Sequence, residues 1–532
     1  MTETPDAAFK GAADPPETPA ELTAEPGGNT CRSCGMGCLG IVILTAITFA
    51  VLTSNAAATL DARYVQASEE IVALQARADT RRATVLGQPD NDDNALADYN
   101  GLQWVLSGGD PEHNMRLSWK TQLPELPNDI EEMTARVVPD GKEIDIVMTG
   151  TLLRGINPEM PAGELSTRDQ KNFDNAKAAY ARAKPLLRYV RDGLSRGKCD
   201  WKTQWEKGFR FEIPNLLQMR AIANLLAYQA SLQEPRAGIQ TGLELVAFGQ
   251  DLSRQGSMIG AMIGIAVSHI GFQSLAHTLG RPGIEPADCR RVIEALATYA
   301  PPKSDDLLDG EKLIAVVTAL EMSGRRLDQS ASGDANADSM GVGADVFAKL
   351  DVFHARELEG YEFFMSRSIE VTRLPRNERD AAQDALNEEL GDSWYFIAKI
   401  AIPNLNSVTT HLHESLAMAR VTRVLAAAQL HRLEQGSFPT VIEDLEGLLG
   451  VGILDPSSAT PKTPLGFKRS GKVAHCWLAG ENGLNDGGPT PRVYRGLKKK
   501  KKKGTSKRKG PRKAPPVQTD DRGLSVRAPG AK

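Results

Sequence analysis

Hydrophobic and polar positions divide the chain into a continuous apolar run, a long stretch of helical periodicity and a short region of alternation near its end. The run is Gly37 to Leu60, GCLGIVILTAITFAVLTSNAAATL, and it contains no charge. At ~1.5 Å per residue a helix of this length crosses a hydrocarbon core of ~30 Å, so 37–60 is predicted as a transmembrane helix. A cleaved signal peptide is the rival reading. Signal peptides open on a short basic region, whereas here an acidic, Pro-rich leader, 1–36, comes first. Residues 61–86 continue as a charged helical stalk, which Gly87-Gln88-Pro89-Asp90 breaks.

Residues 87–160 form a mixed α/β segment. Asp140-Gly141 marks a tight turn there, and Ile144, Ile146 and Met148 alternate as a strand would. The helical period dominates from 161 to 403. Leu216, Met219, Ile222, Leu225 and Leu226 share a helix face, Pro235 opens the next helix, and Ser257 opens a third. Short joints between them predict helical hairpins, stacked in an α-solenoid-like body. The third helix carries Gly260-x-x-x-Gly264, a close-packing pattern. Ser268, His269, Gln273, Ser274 and His277 interrupt its apolar face, so it reads as a buried core helix.

The last folded region, 404–497, begins with a long helix to Gln435. A Gly436-Ser437-Phe438-Pro439 corner and an Asp455-Pro456 turn follow. Leu465-Gly466-Phe467 and Val473-Ala474-His475-Cys476-Trp477 read as two strands joined at Ser470-Gly471, before a loop from Gly480 to Gly488. The fold class is therefore mostly α: a single N-terminal transmembrane helix, a helical-hairpin body and a small α+β module.

That module resembles the C-terminal half of the major pseudopilins of type II secretion systems, in its corner, its Asp-Pro turn, Pro464-Leu465-Gly466-Phe467 and its Asn/Asp/Gly closing loop. The whole layout looks like anchored proteins of unknown function from planctomycetes or myxobacteria. The resemblance implies a bacterial inner membrane, a secretion or pilus-like system as the setting, and calcium in the closing loop. Glu481, Asn482, Asn485 and Asp486 offer oxygen ligands of the kind calcium takes. A turn whose side chains bond to its own backbone is the other reading of the same residues. Pseudopilins place their long helix directly after the membrane segment. Here some 340 residues intervene, so the module reads as one unit of a larger body.

Composition changes the picture in one respect. The net charge of −4 conceals a basic tail, 498–532, with fourteen Lys/Arg and two Asp, and an acidic remainder. Eleven of those cations fall between Lys498 and Lys513. The tail is predicted to be disordered and to bind a polyanion: an anionic envelope polymer if the body lies outside the cytoplasm, nucleic acid only if it lies inside. Arg32 and Arg63 flank the apolar run almost evenly, and a short leader with a long C-terminal body favours an extracytoplasmic body.

Candidate chemistry is sparse. Cys31, Cys34 and Cys38 lack a fourth ligand for tetrahedral zinc. One bridge among Cys199, Cys289 and Cys476 is open from spacing. Asp90-x-Asp92-x-Asn94 starts like an EF-hand loop but has Ala95 and Gly101 where Gly and Glu are needed, so a helix cap is expected. His411 and Glu414 share a helix face while His413 points elsewhere, and His269 and His277 share a face of the apolar helix. No nucleophile elbow, H-E-x-x-H or Walker pattern is present. The chain reads as a non-catalytic, membrane-anchored scaffold with a protein partner. The alternatives are an envelope hydrolase whose site comes from distant residues, and a cytosol-facing polyanion binder.

Overall fold

The computed structural model describes residues 32–78, 84–106, 126–138, 147, 149, 167–211, 215–325, 327, 351–374, 376–402, 405–458, 460, 462–479 and 522–529. It divides into two units, Met1–Asn55 and Ala56–Lys532. In the first unit the chain is helical from Arg32, and Ile47, Val51 and Leu52 are 56%, 52% and 51% exposed.

The second unit is mostly helical, with one small antiparallel sheet. Helix α1 (Arg32–Ala78) enters it at Ala56. Ala56, Leu60, Ala67 and Ile71 recur on one helix face and are buried in a core shared with α10 (Ser304–Met322) and α11 (Asp351–Arg373). The expected stalk at 61–86 is therefore packed onto the body through Ala78, and beyond the undescribed 79–83 Val85 is buried in the larger core. Small and apolar residues, diluted by charges on the other faces, were enough to bury one stripe. Arg63 is 6% exposed and donates to Glu362 at 2.7 Å and to Glu70 at 3.1 Å.

A larger core gathers α2 (Leu96–Leu106), α3 (Ile130–Val137), α4 (Thr167–Ala183), α5 (Leu187–Leu194), α6 (Leu216–Leu232), α7 (Pro235–Ser253), α8 (Met258–Leu279), α9 (Pro286–Ala297) and the sheet. The expected hairpin is α7–α8. The Ser257 side chain caps α8 by accepting from the Gly260 amide at 3.0 Å. The backbones meet at Gly249 and Gly264: a Cβ on Gly264 would stand 2.4 Å from the Gly249 carbonyl oxygen. Gly260, the other half of the spotted pair, meets the Gln255 side chain instead. Among the described residues α8 is the one helix long and apolar enough to cross a membrane, and 61% of its apolar window is buried, as a core helix requires.

After α11 come α12 (Arg376–Asp392), α13 (Phe396–Ala401) and α14 (Leu405–Gln435). The 31-residue α14 packs on α8, α9 and the sheet. A short helix, α15 (Glu446–Leu449), precedes the sheet. Strands β1 (Gly466–Ser470) and β2 (Val473–Leu478) form the expected hairpin, turning at Gly471 with φ +58°. The third strand, β3 (Arg522–Arg527), lies within the tail expected to be disordered. It pairs antiparallel with β2 from Val473↔Arg527 to Leu478↔Arg522. Gly523-Leu524-Ser525-Val526 alternates weakly, and Val526 is fully buried; the neighbouring lysines hid that signal. The expected strand at Ile144, Ile146 and Met148 lies outside the described residues, and the two positions described beside it, Val147 and Thr149, are helical.

Candidate functional site

Helix α14 turns three polar side chains, His411, His413 and Glu414, into packed surroundings. A helix this apolar elsewhere pulls its occasional polar residues out of water, and each then needs a partner. Glu414 is 1% exposed. Its Oε2 accepts from Arg522 Nη1 at 2.8 Å and lies 3.1 Å from His411 Nδ1. The i,i+3 face expected of His411 and Glu414 is thus real. Arg522, at the start of β3, brings a cation that no local pattern on α14 announces.

His269 of α8 approaches the same carboxylate. Its Nε2 is buried without a hydrogen-bond partner, as is Glu414 Oε1. The ring packs against Phe272 at 6.0 Å between centroids. Beside it Tyr299 Oη and Ser415 Oγ lie 2.6 Å apart. His277, on the same helix, is exposed.

Burial sets the charge states. It pushes His269 down to about 4; the nearby Glu414 opposes this, and Arg522 and His411 add to it. His269 is therefore neutral at pH 7. Burial by itself would raise Glu414, but the His411 hydrogen bond, with the charges of Arg522, His411 and Arg376, holds its carboxyl below the usual value. The result is an ionised carboxylate flanked by a guanidinium and a neutral imidazole. Such a set can accept and pass a proton. Among the described residues no hydroxyl or thiol is bonded to His269 or His411, so a nucleophilic dyad is not formed.

His413 faces the other way, as expected, toward α12. Burial, then Arg379 and Arg376, push its pKa down. Arg376 Nη1 donates to the Ser457 carbonyl at 2.6 Å, which ties α12 to the Asp455 turn. Asp455 holds that turn by accepting from the Ser457 amide at 2.8 Å and the Ala479 amide at 2.7 Å.

A separate open cleft of about 1010 Å³ lies beside the last turns of α1, bounded by Trp205, Arg254, Tyr299, Pro302 and Lys303.

The sequence-predicted calcium residues Glu481, Asn482, Asn485 and Asp486 lie outside the described residues, as do Cys31 and the lysines of 498–513. Among the described residues no group of three His, Cys, Asp or Glu is placed to hold a metal ion. Cys199, Cys289 and Cys476 are all buried free thiols, so no bridge joins them. Burial pushes Cys289 up to about 12. Asn94 makes an Asx turn one residue ahead of the N-cap position, Ala95: its Oδ1 accepts from the Leu96 amide at 3.3 Å, and also from the Asp200 amide at 3.0 Å. Sequence reasoning found the His411–Glu414 pair and, separately, His269. It missed their meeting and missed Arg522 altogether, because the contact joins α8, α14 and β3.

Compared with family models, curated proteins and solved structures, the chain matches none.

Proposed function

We propose that this chain is a membrane-tethered interaction protein of a bacterial envelope, with its body outside the cytoplasm and no catalytic role. The observation that carries this reading is α1. One helix holds both the charge-free run and the Ala56–Ala78 stretch packed into the body core. A buried stripe and the Arg63 ion pairs fix the 56–78 stretch to the body, in place of a free stalk. The stacked hairpins, in the manner of a solenoid, supply a docking surface for a protein partner. The resemblance of 404–497 to pseudopilins points to a secretion or pilus-like system as the setting. Lys498–Lys513 supplies an electrostatic hold on an anionic envelope polymer.

The test is topology. A periplasmic phosphatase fused after Lys532 leaves β3 intact. Activity there, with the chain in the inner-membrane fraction, supports the reading. A silent phosphatase, with an active cytosolic reporter at the same site, overturns it and makes nucleic acid the partner of the lysines. The second reading, an envelope hydrolase, is favoured by one observation, the convergence of His269 with Glu414. It requires a hydrolytic activity that His269→Gln removes without unfolding the chain.

A further inference from the structure

Arg379 stands in the first turn of α12 and is 3% exposed. Its Nη2 donates to the Leu374 carbonyl at 3.1 Å. Its Nε and Nη1 are buried and donate to nothing. A guanidinium cannot shed its proton to escape this situation, and an unpaired buried charge is among the costliest arrangements a fold can hold. Relief does not come from its neighbours. Burial and Arg376 both oppose its charge, and Arg376 weighs on it more than Asp380 relieves it. His413, on α14, is itself driven toward the neutral form by burial, Arg379 and Arg376.

Arg376 and Arg379 share the first turn of α12, and both are near enough to His413 to act on its charge. α12 has 17 residues, long enough for its N-terminal dipole to favour a negative charge at that end. Arg379 keeps unused N–H donors on both sides of its guanidinium, Nε on one and Nη1 on the other, and each can donate to a carboxylate or phosphate oxygen.

We propose that the N-terminus of α12 is a binding site for a small oxyanion, a phosphate or carboxylate group, held by Arg379 and supported by Arg376 and His413. The 3% exposure of Arg379 favours a small anion over a polymer strand. The site is independent of membrane topology and of the lysine tail. One competing arrangement needs separating from it. Gln383, one turn further along α12, has a buried amide oxygen without a partner. A direct bond between Arg379 and Gln383 would satisfy both.

The experiment is calorimetric titration of the full-length protein in detergent with inorganic phosphate, at constant ionic strength in chloride. Saturable binding is expected. Its Kd should rise roughly tenfold or more in Arg379→Met, as loss of a charged hydrogen-bonding group predicts. Arg376→Met should weaken it as well, and replacing Lys498–Lys503 by glutamine should leave it intact. If Arg379→Met fails to fold, Arg376→Met and His413→Gln carry the test. No heat beyond the chloride control overturns the proposal. So does phosphate binding that survives both arginine variants but disappears with the lysines. The Arg379–Gln383 arrangement predicts that Gln383→Met destabilises the protein as much as Arg379→Met and that phosphate protects neither the parent nor the variants; that result also overturns it.

Discussion

Arg522 holds Glu414 at 2.8 Å across a separation of 108 residues, joining the first residue of β3 to the middle of α14. The pair closes the sheet onto the helical core. Leu478 and Arg522 are paired neighbours at one end of the sheet. A chain ending before residue 522 would lose both the strand and the counter-charge.

Removing that counter-charge should be measurable. Arg522→Met leaves Glu414 with His411 and the more distant charge of Arg376, and a loss of about 1–3 kcal/mol is expected, limited by the partial exposure of Arg522. Denaturant unfolding of the purified full-length protein reads it. Adding Glu414→Gln to that variant should recover part of the loss, because the stranded charge goes with it. An Arg522→Met protein as stable as its parent would mean that the pair contributes nothing.

Stability should fall with acid in two steps. His269 has a folded pKa of about 4, below its ordinary 6.5, so the unfolded chain binds the extra proton first. Its contribution is complete above pH ~6.5 and is lost as pH falls toward ~4, by roughly 3 kcal/mol in all. Glu414, also held low, contributes above the ordinary carboxylate value and is lost as pH falls through its depressed folded value. Unfolding midpoints from pH 7 to 4 should slope steeply in the parent and flatten in His269→Gln.

The α7–α8 contact makes a prediction that separates two glycines of one motif. Gly264→Ala places a methyl group 2.4 Å from the Gly249 carbonyl oxygen, and rigid backbone cannot yield. A cost of about 1–3 kcal/mol follows. Gly260→Ala meets the side-chain amide of Gln255, which can move, and should cost less. Equal melting temperatures for the two variants would contradict the close crossing at Gly264.

Leu60 is fully buried where a free stalk would leave it in water. Leu60→Ala should therefore destabilise the body by about 2–4 kcal/mol and speed proteolysis between residues 56 and 78. An unchanged melting temperature and cleavage pattern would restore the stalk.

The three body thiols should resist iodoacetamide in the native protein at pH 8 and react fully in denaturant, since all are buried and Cys289 is pushed up to about 12. Labelling of any of them under native conditions would show that its shell opens.

The sequence by itself determined the elements whose cause is local. Helical period and capping placed α6, α7 and α8. The polar interruptions at Ser268 and His269 marked α8 as core. A glycine able to take positive φ at Gly471 fixed the β1–β2 hairpin. These are properties of a few adjacent residues, and backbone sterics and hydrophobic burial act on them directly. Tertiary structure alone decided the rest. Val526 becomes a strand residue only because β2 offers it an edge. Ala56, Leu60, Ala67 and Ile71 form a buried stripe only because α10 and α11 cover them. The polar centre exists because α8, α14 and β3 meet, putting His269, Glu414 and Arg522 in one place. The buried, unpaired cation at Arg379 likewise depends on what packs over α12. Burial and charge pairing are set by neighbours distant in the chain, and a sequence pattern has no term for a neighbour it does not contain.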